Sequence, residues 1–124
     1  MNDYEIDIGE FGPMPLAVLR TALAHAQQNP EKQSHVLPLK DFYKLAGLST
    51  DVSIASFLAA VGDARKASVC FSDDEAQTWI SDYVFGRTAV TPARFEFVIS
   101  ANARDAVVFP TPLSVIRSGI ADDH

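Results

Sequence analysis

Three histidines, one cysteine and a short acidic run are the side chains of this chain that could hold a metal, carry a proton or attack a substrate. His25, His35 and His124 are far apart in sequence, and no two have the i, i+4 spacing that sets imidazoles side by side on a helix. Cys70 lies in the apolar run ASVCF, where a lone thiol reads as a small core residue. Asp73, Asp74 and Glu75 are consecutive in a turn, so their carboxylates splay into water, and no nearby residue completes a cation site. There is no HExxH, CxxC or GxSxG sequence and no glycine loop of the kind that cradles phosphate. These residues predict a protein that is not an enzyme, with no metal and no cofactor.

The other chemistry open to a small chain is charge. The formal net charge is −6, but it is unevenly placed. Asp3, Glu5, Asp7 and Glu10 at one end, with Asp122 and Asp123 at the other, account for all of it, and the span between is neutral. No dense basic cluster is present, which argues against strong nonspecific affinity for nucleic acid. The cations that could touch a phosphate backbone are Lys40, Lys44, Arg65 and Lys66, with Arg87 and Arg94 flanking a hairpin.

These residues need elements to hold them. At 124 residues the chain is one domain with room for a core and no need of disulfide or metal staples. Residues 1–13 read as an irregular acidic arm in which Tyr4, Ile6 and Ile8 alternate as an edge strand. From Pro15 the apolar positions Leu16, Leu19, Leu23 and Ala26 follow one face of a helix, which Asn29-Pro30 stops. A short extended piece, 35–39, leads into a helix at 40–46 with Phe42, Leu45 and Ala46 inward, and Gly47 ends it. Ser49 or Thr50 caps the next helix, 51–64, with Ile54, Phe57, Leu58 and Val61 as its inner face.

After Lys66 the period falls to two. Strands are predicted at 68–71, 78–85, 94–100 and 106–109, followed by a short helix at 113–118. In 78–85 the alternation puts Trp79, Tyr83 and Phe85 on one face. Helices followed by hairpin-linked strands argue for an α+β domain. The order helix, strand, helix, helix, hairpin is that of a winged helix: a helix-turn-helix followed by a three- to four-stranded antiparallel meander and a short C-terminal helix. The domain spans 14–119, between the arm at 1–13 and a disordered tail at 120–124.

The runs PLAVLRTALAHAQ, LPLKDFYKLAGLS, FLAAVGDARKASVCF, TWISDYVF and RFEFVIS resemble the first winged-helix domain of plasmid replication initiator proteins. The resemblance covers most of 14–118 and lies in element order and apolar pattern. It implies a homodimer, since in that family the first domain mediates dimerisation and a second, basic one reads the origin repeats. Tyr43 stands four residues before the turn glycine, where helix-turn-helix sequences favour a small residue.

With the inner face of helix 51–64 assigned as above, its outer face holds Asp51, Ser53, Ser56, Ala59, Ala60 and Asp63. Major-groove readout uses Arg or Lys for guanine and Asn or Gln for adenine, and none of them is on that face. The helix is therefore expected to scaffold assembly rather than read bases. Ala59 and Ala60 form a small-residue patch, and Trp79, Tyr83 and Phe85 an aromatic group suited to an interface. Three readings follow. One is a dimerising winged-helix protein of replication or transcription control, touching duplex DNA weakly through its backbone. A second is a small interaction module, adaptor or inhibitor that binds another protein and no DNA. The third is a small-molecule sensor. The acidic start, single cysteine and lack of a long apolar run predict a cytoplasmic protein without membrane contact.

Overall fold

The structure, a computed structural model, describes residues 4–7, 11–73, 77–103 and 116–117. It is an α+β fold in which helices pack beside two antiparallel-rich sheets. In chain order the elements are β1 (Tyr4–Asp7), α1 (Pro13–Gln28), β2 (Ser34–Pro38), α2 (Leu39–Ala46), α3 (Ile54–Ala64), β3 (Ser68–Asp73), β4 (Thr78–Tyr83), β5 (Phe85–Val90), β6 (Arg94–Ile99) and β7 (Ile116–Arg117). A single helical turn, Ala101–Ala103, follows β6.

Two prolines in the first turn of α1 cost no hydrogen bond, because those N–H groups have no intrahelical partner. Val18, Leu19, Ala22, Leu23 and Ala26 bury its inner face. At its end the Asn29 side-chain amide donates to the His25 carbonyl at 2.9 Å, satisfying an oxygen that the helix leaves open. Helix α3 packs along α1. The centre of the core is aromatic and draws on three elements. Phe42 of α2 meets Phe95 of β6 edge to face with ring centroids 4.9 Å apart, and Phe57 of α3 meets the same ring at 5.3 Å. Phe97 continues the stack along β6.

One sheet has the order β2-β6-β5, with Leu37 opposite Phe95 and His35 opposite Phe97. The other has the order β4-β3-β1-β7. The chain passes between the sheets at Val84, and the run 78–85, which alternates like one strand, is divided there. The buried Val84 N–H donates to the Ala67 carbonyl at 3.0 Å, its own carbonyl accepts from the Ser100 N–H at 2.8 Å, and the Ser100 hydroxyl donates to the Tyr83 carbonyl. Pairing on both sides of one residue turns the chain without leaving a buried backbone group open.

Two expectations are corrected here. The N-terminal alternation forms a strand, but β1 is interior, antiparallel to β3 and parallel to β7, rather than an edge. The short helix expected at 113–118 is not what its described part shows, since Ile116–Arg117 is strand β7. Both differences come from a pairing between the two ends of the chain, which local pattern cannot report. The strand expected at 106–109 and the tail at 120–124 lie outside the described residues.

Candidate nucleic-acid and protein interface

The outer face of α3 depends on how the chain leaves α2. Gly47, at φ 73°, takes the left-handed conformation that ends α2, and the Leu48 N–H reaches back to the Tyr43 carbonyl at 2.8 Å. Tyr43 is buried, tilted against Phe57 with ring centroids 5.1 Å apart, and its hydroxyl donates to the Val52 carbonyl at 3.1 Å. Burial pushes its phenol above the ordinary value, which keeps the donor protonated. The Ser49 hydroxyl accepts from the Asp51 N–H inside the turn, so it is not the cap. Ser53 is the cap: it is extended, and its hydroxyl accepts from the Ser56 N–H at 3.1 Å. Helix α3 therefore starts at Ile54, three residues later than the sequence reading.

The inner face of α3 is Phe57, Ala60, Val61 and Ala64. Ala60 is only 4 % exposed, and so belongs to the core rather than to a patch with Ala59. Leu58, expected inside, is 49 % exposed. The same displacement affects α2, where Tyr43 is inside and Leu45 is 63 % exposed. Periodicity misplaces these residues because α3 has two apolar rows at the i, i+3, i+4, i+7 spacing. Residues 57, 60, 61 and 64 form one, and 55, 58, 59 and 62 form the other. Only tertiary contact decides which row is covered. The exposed surface of α3 is Ala55, Ser56, Leu58, Ala59, Gly62 and Asp63, without Arg, Lys, Asn or Gln.

The six cations fall into two groups. Lys40 is the second residue of α2, after Leu39, whose N–H donates to the Ala93 carbonyl at 2.9 Å, and Pro38 pairs with Arg94. Lys40 and Arg94 thus lie where α2 begins beside the tip of the β5–β6 hairpin, and Lys44 is one helical turn, ~5–6 Å, farther along α2. Thr91 braces that tip by accepting from the Ala93 and Arg94 N–H groups, and Arg94 is ion-paired with Glu96 at 2.9 Å. Arg65 and Lys66 lie at the end of α3, where Arg65 donates to Thr88 of β5 at 3.2 Å and Lys66 pairs with Asp63 at 3.4 Å. Arg87 precedes Thr88. The register of the hairpin separates Arg87 from Arg94 by about four residue steps, ~13 Å at strand spacing, so they do not act together at one tip.

The proposed aromatic group also divides. Phe85 is 4 % exposed and packs edge to face on Phe97, so it is a core residue. Tyr83 is 62 % exposed. Trp79 lies in β4 with its backbone opposite Ser72, and its side chain is outside the described residues. The cause is the sheet change at Val84, which breaks the alternation that put all three on one face.

Sequence spacing gave no sign that two of the histidines meet. His35 of β2 is buried and stacked on Phe97 at 5.0 Å, and His25 of α1 approaches its ring edge to face at 5.1 Å. Burial, with Lys32 as the second cause, holds the His25 imidazole below its ordinary value. The signal is a register relation, since His35 pairs with Phe97 across β2 and β6 beneath the last turn of α1. His124, Asp74 and Glu75 lie outside the described residues.

Among the described residues no group of three His, Cys, Asp or Glu could hold a metal ion, and no helix is long and apolar enough to cross a membrane. No protein-family model, curated protein or solved structure matches the chain.

Proposed function

We propose that the chain is a non-enzymatic winged-helix module that acts by assembling with protein through α3. The reading is supported by the order α1, β2, α2, α3 and then the β5–β6 hairpin, which is the order expected of a winged helix with that hairpin as its wing. Strands β3 and β4 are inserted between α3 and β5 and leave that order intact. The resemblance to the first domain of plasmid replication initiators favours a setting in DNA replication or transcription control.

The observation that carries this reading is the chemistry of the exposed face of α3. The helix that would enter a major groove presents alanine, leucine and glycine, with Ser56 and Asp63 as its only polar groups. Such a face has no bidentate donor for guanine or adenine, and its carboxylate repels phosphate. An exposed apolar row suits a protein partner instead.

A second reading, weak contact with duplex DNA, is favoured by Lys40 and Arg94 beside the hairpin tip, with Lys44 one turn farther along α2. Three phosphate contacts give a slope of about −3 in log affinity against log salt. Retention on duplex DNA across a salt series tests both. We expect retention only at low salt, lost in Lys40→Gln/Lys44→Gln and unchanged in Ser56→Glu. Steep retention that Ser56→Glu abolishes would show that α3 contacts DNA, and the assembly reading would fall.

A further inference from the structure

Strand β2 is an edge of the sheet β2-β6-β5, and two bonds near the hairpin tip fix which of its backbone groups face outward. The Leu39 N–H donates to the Ala93 carbonyl, continuing the β2–β6 register. The Thr91 N–H donates to the Arg94 carbonyl, continuing the β5–β6 register, so Arg94 and Glu96 bond β5 and not β2. Residues of an antiparallel pair alternate between those that bond the neighbouring strand and those whose N–H and C=O point away from it. His35 and Leu37 therefore bond β6, while Ser34 and Val36 aim their backbone groups at the open side. Among the described residues nothing bonds to those groups. Open edges are ordinarily blunted by proline, charge or a bulge. On the far side of the sheet β5 has a bulge between Phe85 and Thr88, with Arg87 inside it, and Arg65 bonds Thr88. Strand β2 has a regular register, no Asp, Glu, Lys or Arg from Ser34 to Pro38, and Val36 at its centre 54 % exposed. Only Pro38, at its end, interrupts the edge by lacking an N–H.

We infer that β2 receives an extended segment of a partner protein as an added strand, with an apolar residue beside Val36 and carboxylates about four residues to either side. The charges that flank β2 specify this occupant. Lys32 and Lys40 stand four residues before and after Val36, and both are exposed and without an ion pair among the described residues. Glu31 and Asp41 lie one residue farther out. The order of charge is thus the same read from either end. A second copy added antiparallel about Val36 would set Lys32 against Lys40 and Glu31 against Asp41, like charge on like at both ends. A parallel copy in register would set each charge against its own kind. Like charges directly opposite destabilise a strand pair, so the flanks reject a second copy. A strand whose carboxylates meet the two lysines is complementary at both ends. The surface lies on β2 and does not depend on the reading of α3.

The probe is the peptide Asp-Thr-Val-Thr-Val-Thr-Val-Thr-Asp, added to the full chain, with backbone hydrogen exchange read by NMR. In the free chain the Val36 N–H exchanges fast and those of His35 and Leu37 exchange slowly. At saturation the peptide is expected to slow exchange at Val36 by about tenfold or more. The same peptide N-methylated at alternate residues keeps its side chains, loses the ladder and does not bind. Replacing its two Asp by Lys weakens binding by about tenfold. Val36→Pro removes an outward N–H without breaking a β2–β6 bond and weakens binding by about tenfold. If circular dichroism shows that variant unfolded, Lys32→Glu/Lys40→Glu supplies the test, since it reverses the preference between the Asp and Lys peptides. Unchanged exchange at Val36 with the peptide in excess, or equal binding of the methylated peptide, overturns the inference. Protection of Val36 in the free chain overturns it as well, a second copy being the occupant where that protection fades on dilution.

Discussion

The Tyr43 hydroxyl donates to the Val52 carbonyl, joining the last buried residue of α2 to the segment that leads into α3. A small residue at 43 would let the helices close over a tight turn. The tyrosine ring occupies that space against Phe57, and seven residues, 47–53, pass around it. The bond secures a long connection at its far end. Tyr43→Phe keeps the ring and removes the donor, so it should cost about 1 kcal/mol in chemical denaturation with an unchanged denaturant slope. Equal stability of the variant and the wild type would mean that the ring alone sets the turn.

Where α3 begins can be tested by its cap. Ser53→Ala removes the acceptor used by the Ser56 N–H and should destabilise the fold by about 1 kcal/mol. Thr50→Ala, at the position the sequence also offered as a cap, should change stability by less than about 0.5 kcal/mol. If the two losses came out in reverse, the helix would start at residue 51.

The helical half of the fold was legible because its signals are local. Pro15, Asn29-Pro30 and Gly47 mark ends that lie close to where the helices start and stop, and the α+β class follows from element order. Facing was not legible. In α3 two apolar rows compete, and the choice between them is made by α1, which is distant in sequence. The strand half failed in a similar way at Val84, whose hydrogen bonds to the Ala67 carbonyl and from the Ser100 N–H divide a run that reads as one strand. For the candidate site, the absence of base-reading side chains could be read directly from composition. Membership of the exposed patch could not, since Ala60 and Phe85 are core while Leu45 and Leu58 are outside.

Gly62 tests the exposure of α3. A Cβ built there meets nothing within 4 Å, so Gly62→Ala has open space for its methyl and gains helix propensity. It should stabilise the fold by about 0.5–1 kcal/mol and raise Tm by roughly 2–4 °C. An unchanged or lowered Tm would mean that position 62 is in contact in solution.

Burial of His25 couples stability to pH. Burial and Lys32 hold the His25 imidazole below its ordinary value of 6.5, so the unfolded chain binds a proton more readily than the folded one. Above the unfolded value both states are neutral at this site and its full contribution to stability is present. As pH falls through 6.5 toward the lowered folded value, the unfolded state takes up the proton first and stability declines. Below the folded value the loss is complete and flat. Protonation would also set a cation beside the buried ring of His35 and the edge of Phe97. His25→Phe preserves an aromatic ring at 25 and removes the titration. Thermal unfolding between pH 7.5 and pH 5.5, a range chosen to lie above most carboxylate titrations, should show a smaller acid-induced fall in Tm for the variant than for wild type. Parallel curves for the two proteins would mean that the acid sensitivity arises elsewhere.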